Sequence, residues 1–310
     1  MPAKGIYAAV VTPVDDTGEI SIERYCRHAR WLLRQGCAGL GVFGTTSEAN
    51  SFPVAERQAA LEAFLAAGLP AERIVLGVGT CNRADTVALC RHALDHGVTE
   101  LLMLPPFFYK NNADEGLFRA YAEVIDTLAD DRLALSLYHF PQVSGVPVTK
   151  GLLELLVERY PDTIKGVKDS SGDWAHTKSL IEGFDGLEIY SGADSHLLQN
   201  LELGGGGTIS AAANLAAHES SEVFQAFTKG DKPAAEAGMT VVTAVRKVLA
   251  DYPLIPAIKH VIADGQNDEI WRTVRPPLVE LDKPSGDALI RALDAAGYVY
   301  DPDLYSVAGA

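Results

Sequence analysis

The chain has 310 residues, 47% hydrophobic and 22% charged, an ordinary globular composition that excludes an intrinsically disordered chain. Its 26 basic and 41 acidic side chains leave a net charge of −15, which repels phosphate backbones and anionic membranes at long range. No run of Lys or Arg longer than two residues offers a local exception, so nucleic acid is not an expected partner.

Short apolar runs rich in Val, Ile and Leu alternate with longer stretches of helical spacing. The runs are 5–13, 37–44, 73–79, 100–105, 133–140, 164–170, 187–193 and 206–212. Near-continuous apolar strands are buried on both faces, the mark of parallel strands covered by helices. The spacing predicts helices over 21–35 with Ser21 as N-cap, 54–68 behind Pro53, and 84–96 closed by Gly97. Further helices are expected over 114–129, 149–159, 175–183, 195–203 and 216–228. Eight strand–helix units predict the α/β class and a closed (β/α)8 TIM barrel over residues 1–228. An open doubly wound sheet is the alternative, disfavoured because no dinucleotide fingerprint accompanies the repeats. After about residue 231 strands cease, and helices over 232–250, 254–264 and 284–296 predict a small C-terminal helical domain, residues 229–310.

No stretch nears the roughly 18 apolar residues that span a bilayer, so no membrane association is expected. The first residues lack the layout of a secretory signal. Cys26, Cys37, Cys81 and Cys90 form no C-x-x-C pair and no disulfide framework, so a reduced, cytoplasmic setting is the expectation. His92 and His96 lie four apart on a predicted helix, but the sequence offers no third ligand beside them, and no metal is expected.

In a barrel the chemistry sits at the C-terminal ends of the strands. The second run ends in Gly44-Thr45-Thr46-Ser47-Glu48, where hydroxyls and backbone N–H groups could seat a carboxylate, or simply form a turn and helix cap. The fifth ends in Tyr138-His139-Phe140-Pro141, whose phenol is either a proton relay or a packed aromatic. The sixth carries Lys165 and Lys168, which point to opposite faces, and Lys168 lies nearer the C-terminal end. A lysine in an apolar strand is costly to bury charged, and a neutral amine can attack a carbonyl. Together these groups point to a 2-oxo acid held by hydroxyls, with its carbonyl met by Lys168 and its protons moved by Tyr138.

With these residues in order, the chain resembles the dihydrodipicolinate synthase/N-acetylneuraminate lyase family over residues 5–300. The resemblance is carried by Thr12-Pro13, Gly44-Thr45-Thr46-Ser47-Glu48 and Tyr138-His139-Phe140-Pro141. It continues through Gly166-Val167-Lys168-Asp169-Ser170-Ser171-Gly172, Ser191-Gly192-Ala193-Asp194 and Gly207-Thr208-Ile209-Ser210 with Asn214. It implies a pyruvate-type Schiff base on Lys168, Tyr138 as general acid/base, Thr45 as relay, and Thr46 as carboxylate ligand. Ser47, Ser170, Gly192, Asp194 and Ile209 complete the implied substrate-binding set. It implies no cofactor beyond the covalent link to Lys168, and a homotetramer or dimer.

Besides Ser47 for the glycine of the carboxylate loop and His139 for the common Asn, two positions depart from the family pattern. Val143 stands where the synthases place an arginine for a second carboxylate, which favours a lyase and a site for one carboxylate. After the fourth run Phe107-Phe108-Tyr109 puts phenylalanine at the relay position, with Tyr109 a shifted substitute. The expected function is a Schiff-base lyase for a 2-oxo acid such as a 2-oxo-3-deoxy sugar acid. A dehydratase, a synthase condensing pyruvate with aspartate semialdehyde, and a non-catalytic 2-oxo-acid binder are the alternatives.

Overall fold

The computed structural model describes residues 3–298. The strands β1 (Gly5–Ala9), β2 (Gly39–Val42), β3 (Ile74–Gly77), β4 (Glu100–Met103), β5 (Ala134–His139), β6 (Ile164–Asp169), β7 (Glu188–Ser191) and β8 (Gly207–Ser210) close into one parallel barrel in chain order. Each lies within a run read from the sequence. The strands are buried almost throughout, because helices cover the outside and side chains fill the inside. Inside stand Tyr7, Val75, Leu102, Leu104, Tyr138, Tyr190 and Ile209.

The helices are α1 (Ile22–Arg34), α2 (Val54–Ala66), α3 (Arg83–Asp95), α4 (Asp114–Leu128), α5 (Pro141–Ser144), α6 (Lys150–Arg159), α7 (Trp174–Gly183), α8 (Leu197–Glu202), α9 (Ala213–Thr228), α10 (Lys232–Ala250), α11 (Leu254–Gln266) and α12 (Lys283–Ala295). Short polar residues start many of them by accepting an orphan N–H: Asn82 from Asp85, Thr149 from Leu152, Asp231 from Ala234 and Asp282 from Ser285. Ser21 stands at the N-cap of α1 but makes no capping bond, since its Oγ accepts from Arg24 instead. Gly97 closes the turn after α3 at φ +81°, a conformation that costs any other residue a Cβ clash. The single-turn α5 was not anticipated.

The helices after residue 231 do not form an isolated core. Val245, Leu249, Ala257, Ile258, Ile262, Trp271 and Leu289 pack with Val11 after β1 and with Ala212, Leu215 and Ala216 at the start of α9. Asn214 stitches the same junction, donating to the carbonyls of Ala9 and Ala211 and accepting from the Val11 N–H. The appended helices are therefore pressed against the C-terminal rim of the barrel, and their remaining expected residues, 299–310, lie outside the described residues.

Candidate active site

The β5–β6 ladder places Tyr138 beside Lys168. Parallel neighbours in register share a face, and both side chains point inward, 5% and 4% exposed. The Lys168 Nζ lies 4.2 Å from the centre of the Tyr138 ring. The ladder passes from Leu135–Ile164 to Ser136–Gly166, so Lys165 is the extra residue of a bulge and is only partly buried. That irregularity, together with strand alternation, selects Lys168 as the inward lysine.

The loop after β2 brings Thr45 Oγ1 to 3.4 Å from the Tyr138 hydroxyl, and Thr46 reaches the cavity that contains Lys168. Ser47 does not serve as the sequence suggested. It is fully buried, its Oγ donates to the Val10 carbonyl at 2.6 Å, and its own carbonyl accepts from Thr12 Oγ1. Its hydroxyl is spent on holding the loop to the segment just after β1. Glu48 adopts a left-handed φ of +58° and turns its carboxylate away from the cavity toward α11. There Lys259 Nζ meets Glu48 Oε1 at 2.5 Å and also donates to the Thr273 carbonyl, while the Arg275 N–H donates to Glu48 Oε2. Burial pushes the Lys259 amine down, opposed by the Glu48 carboxylate.

The cavity encloses about 270 Å³ at the C-terminal mouth of the barrel. It is lined by Thr46, Tyr138, Lys168, Ser170, Gly192 and Ile209 among the expected residues. Thr45 lines a smaller adjoining cavity of about 30 Å³, with Tyr138 as the shared wall. At Gly192 the N–H donates to the Asp169 carbonyl at 2.6 Å, and a Cβ there would collide with Ser170 Oγ. Only glycine lets β7 approach β6 so closely at this level.

Besides Ser47, and Thr45 in the adjoining cavity, Asp194, Val143 and Tyr109 fall outside the cavity lining. Asp194 is 1% exposed, tucked behind Ser210, whose Oγ donates to its carboxylate. Val143 is 54% exposed on α5, where its neighbour Gln142 takes the inward position and donates to the Ser171 carbonyl. Tyr109 is 75% exposed and edge-on to Phe108, whereas Phe107 packs against the barrel interior. Pro105 and Pro106 carry the chain outward after β4, so within this chain Tyr109 does not reach Tyr138.

The cavity also receives residues that the sequence did not single out. Arg246 comes from α10, and Leu254 from the start of α11. Nothing in the local pattern marks Arg246, one basic residue in a helix joined to the rim only by tertiary packing.

Behind Lys168, Asp169 accepts from the Ser171 N–H, from Thr177 Oγ1 at 2.7 Å and from His176 Nδ1 at 2.9 Å. Burial works to raise its carboxyl, but these bonds outweigh it and hold it at about 2. The same bond raises His176 above its ordinary value of 6.5. The ring of His139 stacks on His176 at 4.4 Å, its Nδ1 accepts from the Val148 N–H, and burial lowers it. Among the described residues two groups have the donor set for a metal: His139, Asp169 and His176 here, and Glu62, His92 and His96 on α2 and α3. The sequence lacked a third partner for His92 and His96, and α2 supplies it, with Glu62 Oε1 at 2.8 Å from His92 Nε2.

A parallel eight-stranded barrel with an inward amine, a phenol and a hydroxyl-bearing loop at its C-terminal mouth defines a class: barrel enzymes that act on the carbonyl of a small acid. Within that class, the chain belongs to the dihydrodipicolinate synthetase family, whose sequence profile matches residues 2–296. Family membership makes it an enzyme of the lyase and aldolase type. It is 34% identical over 293 residues to an uncharacterized DapA-like lyase of Chloroflexus aurantiacus, covering 94% of this chain and 96% of that protein. Dihydrodipicolinate synthase from Agrobacterium tumefaciens superposes with a TM-score of 0.85 at 33% identity, over 94% of this chain and 99% of that one. YagE of Escherichia coli K12, solved in complex with pyruvate, superposes with a TM-score of 0.87 at 25% identity, over 96% and 99%.

Proposed function

We propose that the protein is a Schiff-base lyase that cleaves a 2-oxo acid of the 4-hydroxy type to pyruvate and an aldehyde. The observation that carries this is the buried Lys168 amine over the Tyr138 ring, inside a cavity walled by Thr46 and backed by Thr45. The pyruvate complex of the similar YagE supports pyruvate as the common half.

In this reading the Lys168 amine condenses with C2 of the substrate and releases water, leaving a protonated imine as electron sink. Thr46 and neighbouring N–H groups hold the C1 carboxylate. Tyr138 takes the proton of the C4 hydroxyl, the C3–C4 bond breaks, and its electron pair passes to the imine to give an enamine and an aldehyde. Protonation at C3 and hydrolysis return Lys168 and release pyruvate. Thr45, 3.4 Å from the phenol, relays the Tyr138 proton. Loss of the C4 hydroxyl as water from the same imine is a close variant.

A synthase for aspartate semialdehyde is the second reading; Val143, exposed and apolar, provides no ligand for that substrate's carboxylate. The proposal includes no cofactor, a cytoplasmic setting suited to four free cysteines, and a catalytic barrel over 1–228 carrying a helical unit over 229–310. Borohydride reduction with pyruvate should add the mass of one reduced pyruvate adduct to Lys168, and Lys168→Ala should abolish pyruvate release from a panel of 2-oxo-3-deoxy acids. An unmodified Lys168, with no turnover on the panel, would instead mark a 2-oxo-acid binder.

A further inference from the structure

The cavity has two charged lining residues, Lys168 and Arg246, and no lining carboxylate. In a chain of net charge −15 this local cationic pair is a site that concentrates anions. Lys168 is committed to the substrate carbonyl in the reading above, and the carboxylate beside that carbonyl falls to the β2 loop. Arg246 enters from α10, a different element, and is half-buried at the cavity wall.

Its guanidinium makes no hydrogen bond or ion pair among the described residues. Its electrostatic partner is Asp194, whose carboxylate is fully buried, engaged by Ser210 and absent from the cavity lining. Gln142, another long polar side chain lining the cavity, donates to the Ser171 carbonyl. Arg246 is thus a cavity-facing fork of donors with no partner bonded to it, suited to a carboxylate in two-point contact.

We infer that Arg246 binds a second carboxylate, at the far end of the substrate, so that the enzyme acts on dicarboxylic 2-oxo acids. This rests on the Schiff-base reading. It reverses the expectation drawn from Val143 that the site takes one carboxylate: the cation comes from the appended helices rather than from the β5–α5 loop. C3–C4 cleavage of such a substrate gives pyruvate and an aldehyde that retains the distal carboxylate. Reactions that generate 4-hydroxy-2-oxo dicarboxylates must supply it, and reactions that oxidise or reduce an acid-aldehyde must remove the product.

The test compares kcat/KM for 4-hydroxy-2-oxoglutarate with that for 4-hydroxy-2-oxopentanoate, in which a methyl group replaces the far carboxylate. Wild type should favour the dicarboxylate by about a hundred-fold, since the half-buried Arg246 guanidinium is left unpaired by the methyl compound. Arg246→Gln should collapse the ratio to within about threefold, mainly through KM, and Arg246→Lys should restore part of it. A wild-type ratio near one, or equal losses on both substrates in Arg246→Gln and Arg246→Lys, would overturn the inference. Borohydride trapping of pyruvate by wild type reports separately on Lys168, so failure of the Schiff-base reading and failure of the Arg246 assignment give different results.

Discussion

Asp169 lies behind the lining of the candidate site rather than in it. It adjoins Lys168 on β6, and its bonds to Ser171, Thr177 and His176 anchor the strand end to α7. Its carboxyl falls from an ordinary 3.8 to about 2, which at roughly 1.4 kcal/mol per pH unit is about 2 kcal/mol. Because the folded value is depressed, that stability is complete above about pH 4 and is lost as pH falls through about 2. His176 runs the other way: raised by Asp169, it stabilises below 6.5, and its share is lost as pH rises through its folded value. Asp169→Asn should therefore cost about 2 kcal/mol in urea unfolding at pH 7, with a gap to wild type that narrows as pH drops from about 4 to 2. A gap that stayed constant with pH would remove ionisation from this account.

The decisive contacts between elements join the β2 loop to α11. Glu48 and Lys259 are both fully buried, and each has a backbone partner besides the other. Removing one charge strands the other, at a cost of about 3–5 kcal/mol, whereas removing both costs much less. Lys259→Met should lower the unfolding free energy obtained from urea titration by that amount, and adding Glu48→Gln should recover most of it. A double variant as unstable as the sum of two singles would show that the residues act independently. The loop held this way carries Thr45 and Thr46, so Lys259→Met should also slow pyruvate capture by Lys168, read as the rate of borohydride trapping.

At the scale of the molecule, an aromatic pair stands in solvent. Phe108 and Tyr109 are 72% and 75% exposed after β4, an unusual exposure for large apolar rings and one that suits a subunit contact. In sedimentation the wild type should run at a multiple of its 33.1 kDa chain mass. Phe108→Ser combined with Tyr109→Ser should shift it toward the single chain at micromolar concentration. Wild type sedimenting as a single chain would refute self-association, and an unchanged mass in the variant would place the contact elsewhere.

The sequence by itself determined the barrel and pointed to half of the residues at the candidate site. Buried parallel strands need continuous apolar runs, and eight of these, each followed by helical spacing, leave one economical closure. Lys168, Tyr138, Thr45 and Thr46 were legible because each sits at a strand end, where the fold places chemistry whatever the loops do. Ser47, Val143, Tyr109 and Asp194 were misplaced because strand order alone does not say where a loop side chain turns. The Ser47 hydroxyl found the Val10 carbonyl just after β1, Asp194 folded behind Ser210, and two prolines carried Tyr109 outward. Arg246 had no local signal at all: its place in the cavity depends on α10 packing across the barrel rim, a long-range contact that no periodicity encodes. The strands and Lys168 follow from local pattern and burial, whereas the second cation in the cavity, Arg246, is placed only by the docking of the appended helices.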